Sequence, residues 1–273
     1  MSPEDFEFVT AFLKKNAGIV IKSDKKYLVE SRLLPLVRER GLESISKLVM
    51  AMKSVNGTSL RDEVLDAMTT NETFFFRDIK PFDRFRDDIL PDLIESRGEA
   101  KSIRIWCAAA SSGQEPYSLA MIVSENQAKN PGMNFSILGT DISKESLKRA
   151  DEGTYSQFEV QRGLPTPLLI KYFLQNESFW SVSSKLRSIV KYRHLNLLED
   201  FRGLGKFDVV FCRNVLIYFD LETKVDILRR IRAQMPDDGI LVLGGAETVI
   251  NVTDQFKMIP GKQGFYAINL DAT

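Results

Sequence analysis

Residues 104–121, RIWCAAASSGQEPYSLAM, decide how this chain is to be read. An apolar run of strand-forming residues gives way to a loop of small residues, and the loop opens into a helical stretch. The same order recurs outward along the chain. FSILGTD (135–141) precedes KESLKRADEG (144–153), FDVVFC (207–212) precedes LETKVDILRRIRAQM (221–235), and ILVLGG (240–245) follows a PDDG turn. Short apolar strands alternating with helices predict a doubly wound α/β sheet, whose ligand crevice lies at the carboxyl ends of its strands.

Before this region the pattern is helical. Phe6, Val9 and Leu13 recur at helical spacing, and KKYLVESRLLPLVRERG and SISKLVMAMKSV continue with helix formers. We therefore expect an all-helical domain over residues 1–75 and an α/β domain over 76–273. KPFDRFRDDILPDLIESRG (80–98) is expected as the joining helix, with Pro81 in its first turn and Gly98 at its end. YFLQNESFWSVSSKLRSIVKYRHL breaks the α/β rhythm with alternating strand formers, so a small antiparallel β insertion is expected at about 170–194.

Composition removes several function classes. Lys plus Arg and Asp plus Glu are equal at 37 each, which gives no positive field for nucleic acid. No apolar run approaches the ~18 residues of a membrane span, and MSPEDFEFVTAFLKK lacks the layout of a secretory signal, so a cytoplasmic location is expected. Cys107 and Cys212 each sit in an apolar run and read as small buried hydrophobes. His194 is the only histidine and is given a structural role; no His-ligated zinc centre is expected, and no metal.

The chemistry is sought after each strand. Ala108, Ala109, Ser111, Ser112 and Gly113 allow a ligand close to the backbone, and the helix that follows supplies free amides. The loop lacks the G-x-G-x-x-G spacing of a dinucleotide site, and Glu115 at the helix start would repel a pyrophosphate while suiting an amino acid-like or cationic group. The alternative for Glu115 is that it complements the helix dipole. Asp141 ends the second strand, where a carboxylate can bind both ribose hydroxyls; Ser143 is an equally good cap for the next helix. A small-residue loop, an acid at its helix and an acid after the second strand describe S-adenosylmethionine. Arg213, Asn214 and Tyr218 follow a further strand as polar groups at the crevice.

Taken in order, NETFFFRD (71–78), RIWCAAASSGQEPYSLAM, TDISKESLKRADEGTY, NLL, FDVVFCRNVLIYFD and GILVLGGAET resemble the chemotaxis receptor methyltransferases of the CheR family over nearly the whole chain. The resemblance implies a Rossmann-like class I methyltransferase domain behind a small helical domain, acting on receptor glutamates. It implies cofactor contacts from Asn71, Thr73 and Arg77, the methionine end on Glu115, the ribose on Asp141, the adenine beside Asn196 and Leu197, and a cleft lined by Arg213 and Asn214. Arg77 and Tyr218 are expected at the reacting groups. The product would be S-adenosylhomocysteine and the partner the cytoplasmic helices of chemoreceptors, met by a monomer recruited to membrane receptor arrays. The alternative is a non-catalytic module that binds the cofactor or its product.

Two departures stand out. Family loops usually read S-T-G-E-E-P, where this chain has Ser112 and Gln114. Enteric members carry a Gly-rich loop in the β insertion that binds a receptor C-terminal pentapeptide; YFLQNESFWSV is shorter and has no glycine, which argues against that tether. Lys22, Lys25, Lys26, Arg32, Arg38 and Arg40 are expected to steer toward acidic receptor helices. Phe74, Phe75 and Phe76 cannot share one face and are expected to wedge the junction of the two domains, making a lid.

Overall fold

The computed structural model describes residues 1–98, 101–127 and 129–272. They form two compact units, Met1–Thr70 together with Tyr218–Thr223, and Asn71–Ile217 together with the chain from Lys224 onward. The division at Thr70 falls a few residues before the boundary expected from sequence.

The first unit has four helices among the described residues, α1 (Pro3–Ala17), α2 (Lys26–Glu39), α3 (Ile45–Lys53) and α4 (Thr58–Met68). A capping box of Ser2 and Asp5 starts α1, and Gly18 ends it at φ 70, a left-handed conformation that glycine adopts without cost. Val9, Leu13, Val29, Leu33, Leu48, Met52, Val64 and Met68 interlock as its core. Two of the expected docking cations serve this unit internally. The Arg32 guanidinium donates to the carbonyls of Met68 and Thr69 at 2.6 and 3.1 Å, closing the end of α4, and Arg40 pairs with Glu63. Lys22, Lys25 and Arg38 remain exposed.

In the second unit, α5 (Lys80–Arg84) and α6 (Leu90–Ser96) flank a π-helical turn at Phe85–Ile89. Pro91 has no N–H to continue the ordinary ladder, so the helix expected over 80–98 widens by one residue at this point. The elements that follow are β1 (Ser102–Ala108), α7 (Gln114–Gln127), β2 (Asn134–Asp141), α8 (Lys144–Glu152), β3 (Thr154–Ser156), α9 (Gln157–Gln161), α10 (Thr166–Tyr172), β4 (Phe173–Asn176), β5 (Phe179–Val182), α11 (Ser184–Ile189), β6 (Val190–His194), β7 (Val209–Cys212), α12 (Leu221–Ala233), β8 (Ile240–Leu243), β9 (Phe256–Met258) and β10 (Phe265–Ile268).

Seven strands make the main sheet in the order β6-β2-β1-β7-β8-β10-β9. The first five run parallel, and β10 turns back antiparallel to both β8 and β9. The order reverses at β1, so the crevice between β1 and β7 opens at the carboxyl ends of the parallel strands. β1 and β7 are buried on both faces, as parallel strands covered by helices must be.

The small sheet differs from the insertion expected at 170–194. It has the order β3-β5-β4, taking its third strand from Thr154–Ser156, while Val190–His194 pairs with Ile137–Asp141 as the edge of the main sheet. Alternation marks a strand but does not say which strand it pairs with, and both pairings here are non-local. The hairpin between β4 and β5 turns without glycine, Glu177 taking φ 51.

Candidate active site

The loops after β1, β2, β6 and β7, at the carboxyl end of the parallel strands, each carry polar residues singled out in the sequence. The loop after β1 is held in a shape that only small or flexible residues accept, with Ala109, Ser111 and Gly113 at φ 70, 49 and 94. Ala110 N donates to the Thr140 carbonyl at 2.8 Å, and Ser111 N donates to Asp141 Oδ2 at 2.8 Å. Asp141 Oδ1 accepts from Ser143 N at 2.9 Å. The aspartate therefore braces the loop after β1 with one oxygen and its own turn into α8 with the other. Ser143 caps α8, its side chain accepting from Ser146 N, as the sequence indicated.

Glu115 lies in the first turn of α7, where it is buried and paired with Arg213. Arg213 Nη1 donates to Glu115 Oε2 at 2.8 Å, and Nη2 donates to Asp78 Oδ2 at 2.8 Å and the Arg77 carbonyl at 3.0 Å. Its side chain is 1% exposed, and its Nε is buried without a partner. Burial pushes the Glu115 carboxyl above its ordinary range, and the guanidinium beside it draws it back down. Arg213 thus lies behind Glu115 and locks it to the segment 77–78, more than it lines an open cleft.

The segment 71–78 lies across the start of α7. Ser111 Oγ donates to the Asn71 carbonyl at 2.8 Å, and Phe76 N donates to Ser118 Oγ at 3.0 Å. Thr73 and Arg77 are half-buried, and Arg77 Nη1 donates to the Glu72 carbonyl at 2.8 Å. The lid reading of the three phenylalanines is corrected here. Phe75 packs edge-on against Tyr155 and Phe173 at 5.0 and 5.6 Å, and Phe76 meets Phe82 at 5.4 Å. Phe74 lies beneath Arg162 and Arg77. These ring contacts all belong to the α/β unit, so Phe75 is a core residue of that unit.

After β6, Leu195 N donates to the Asp141 carbonyl at 3.0 Å, which brings Asn196 and the buried Leu197 beside the second strand. Asn196 Oδ1 accepts from Leu198 N at 3.0 Å. The His194 ring lies 3.0 Å from the Ile142 carbonyl through Nε2, a structural tether. Tyr218 ends the turn Leu216–Tyr218 and is grouped with the helical unit, its carbonyl accepting from Val20 N at 3.0 Å.

One participant escaped sequence reasoning. Glu247 accepts backbone hydrogen bonds from Asn214 at 2.7 Å, Val215 at 2.9 Å, Ile217 at 3.3 Å and Gly244 at 2.8 Å. It holds Asn214 at φ 58, and Gly244 is required because a Cβ there would lie 2.7 Å from Glu247 Oε2. The only signal in the sequence is an acid in GGAET just past a strand.

These residues suit S-adenosylmethionine. Two buried carboxylates, Glu115 and Asp141, flank a loop with no bulky side chain, a donor set whose charge and size fit an amine and a ribose, and the buried Arg213 Nε has no partner. Among the described residues no group of three or more His, Cys, Asp or Glu is arranged for a metal. A sheet of this order, with a small-residue loop after the first strand and an acid closing the second, defines a Rossmann-like methyltransferase. The chain belongs to the CheR methyltransferase family. Residues 71–265 match the family model described as CheR methyltransferase, SAM binding domain, and residues 4–69 match CheR methyltransferase, all-alpha domain. The chain is 44% identical over 264 residues to chemotaxis protein methyltransferase 1 of Pseudomonas aeruginosa, covering 95% of this chain and 96% of that one. It is 40% identical to chemotaxis protein methyltransferase Cher2 of Pseudomonas putida, covering 95% and 96%, and 40% identical to chemotaxis protein methyltransferase 1 of Vibrio cholerae, covering 95% and 94%.

Proposed function

We propose that this S-adenosylmethionine-dependent methyltransferase esterifies glutamate side chains on the cytoplasmic helices of chemoreceptors. The supporting observation is the pair of buried carboxylates, Glu115 and Asp141, fixed on either side of one small-residue loop. When bound, the cofactor supplies a sulfonium methyl that an acceptor carboxylate can take without losing a proton, leaving S-adenosylhomocysteine. A glutamate of pKa ~4.3 is already ionised at neutral pH, so no general base is required.

The work of the chain is then to bind and orient. Asp141 takes the ribose hydroxyls, Glu115 the amine of the methionine end, and Asn196 and Leu197 border the adenine. Arg213 fixes Glu115, Asn214 lines the cleft, and Asn71 and Thr73 complete it. Arg77 orients a carboxylate, and Tyr218 donates a hydrogen bond near the transfer. Holding the two reactants together can contribute on the order of 7 kcal/mol or more.

The chain acts as a monomer recruited to receptor arrays in the cytoplasm. The glycine-free hairpin between β4 and β5 supports recruitment that does not use a receptor C-terminal pentapeptide. The test is transfer of labelled methyl to receptor membranes from the same organism, with and without receptor tails. Base-labile label on receptors of both kinds is expected. Absence of transfer by a chain that binds the cofactor would favour a non-catalytic module, and label lost with the tails would overturn the tether reading.

A further inference from the structure

Tyr155 belongs by backbone to the small sheet and by side chain to the cofactor loop. It is the middle residue of β3, opposite Trp180 of β5. Its ring is fully buried, and its hydroxyl donates to the Ser112 carbonyl at 2.7 Å. The peptide between Ser112 and Gly113 is held at both of its polar ends, Gly113 N donating to the Ala110 carbonyl at 3.0 Å and the phenol taking the carbonyl oxygen, against the turning over that glycine on its far side would permit at little steric cost. The loop is also closed from behind. A Cβ at Gly113 would lie 2.7 Å from the Tyr192 hydroxyl and 3.0 Å from that of Tyr155. Tyr117, the third phenol of this cluster, donates instead to the Ala150 carbonyl at 2.9 Å and so holds α8.

We propose that Tyr155 is a positioning residue for S-adenosylmethionine, its phenol fixing the Ser112–Gly113 peptide and thereby joining the three-stranded sheet to the cofactor loop. Asp141 pins the loop at the Ser111 amide, and Tyr155 pins it one residue later at a carbonyl, so the two together set which face the loop presents to the cofactor. Whatever engages β5 or β3 then alters cofactor affinity without touching the cleft. The inference rests on the cofactor reading above.

Calorimetric binding of S-adenosylhomocysteine to the full chain tests it. Tyr155→Phe keeps the ring contacts with Phe75 and Phe173 and removes only the hydroxyl. We expect affinity about fivefold to tenfold weaker, as the loss of one buried hydrogen bond implies. The KM for S-adenosylmethionine should rise by the same factor, with kcat within twofold. Tyr117→Phe should leave both within twofold. A purely structural role for Tyr155 would lower the melting temperature and leave affinity unchanged, and a Kd within twofold of wild type overturns the proposal. Hydrogen exchange on the wild-type chain gives a second arm: adding S-adenosylhomocysteine should protect amides of β3 and β5 as well as residues 109–113. Protection confined to the loop would overturn the coupling. A wild-type chain that binds no S-adenosylhomocysteine would remove the cofactor reading and this inference together.

Discussion

Replacing Arg213 by methionine tests the electrostatic arrangement at its centre. The Arg213 side chain is 1% exposed and faces Glu115, 12% exposed, at 2.8 Å, with Asp78 half exposed on its other side. Methionine fills much of the volume but leaves Glu115 charged in a buried site without its paired guanidinium, with only the charge of Arg77 left to offset it, which costs about 3–5 kcal/mol. For a unit of this size, that corresponds to a fall in melting temperature of roughly 6–20 °C. The deficit should depend on pH. Burial raises the Glu115 carboxyl above its unfolded value, so the folded state binds the proton more tightly and stability falls as pH rises between the two values. Without the guanidinium that interval widens upward. The deficit should therefore be largest at pH 8 and shrink by pH 5, where Glu115 in the variant takes up its proton. Denaturant unfolding followed by tryptophan fluorescence, from Trp106 fully buried on β1 and Trp180 on β5 of the same unit, gives both values. A deficit under about 1 kcal/mol, or one equal at the two pH values, would refute the reasoning, since neither is compatible with a stranded buried charge.

Glu247→Ala should destabilise the α/β unit by at least about 3 kcal/mol, because four backbone amides lose a charged acceptor. Glu247→Gln, which keeps one carbonyl oxygen, should lose less and should lower kcat more than affinity for S-adenosylhomocysteine; equal stability losses in urea titrations would contradict this. Phe75→Ala should cost about 3–5 kcal/mol in the same titrations, since the ring is completely buried among Tyr155 and Phe173. A variant of unaltered stability and weakened cofactor binding would restore the lid reading.

The parts of this molecule that were legible in sequence are those whose cause is local. RIWCAAASSGQEP shows its strand, its loop and its helix because apolar periodicity, small residues and helix formers each act over a few positions. Asp141 and Glu115 could be picked out because the carboxyl end of a parallel strand is a known address. What stayed hidden depends on partners distant in the chain. Nothing about Val190–His194 says that it pairs with β2 in place of the β4–β5 hairpin, and nothing in Thr154–Ser156 marks it as a strand of the small sheet. Arg32 and Arg40 read as surface cations until the end of α4 and Glu63 are brought to them by packing.

Glu247 is the sharpest instance, because its ligands are main-chain amides, which every residue has and no sequence pattern displays. The same limit applies to Asp141 and Arg213. Sequence position alone shows them as polar groups at a strand end, whereas the structure shows each holding the protein together: Asp141 through two amides, Arg213 through two carboxylates and a carbonyl. A site made of residues that also brace its loops is preorganised, since the groups that meet the ligand are immobilised before it arrives. Substitutions there should rarely separate binding from stability, whereas Tyr155 reaches the same loop from behind and offers a place where the two come apart.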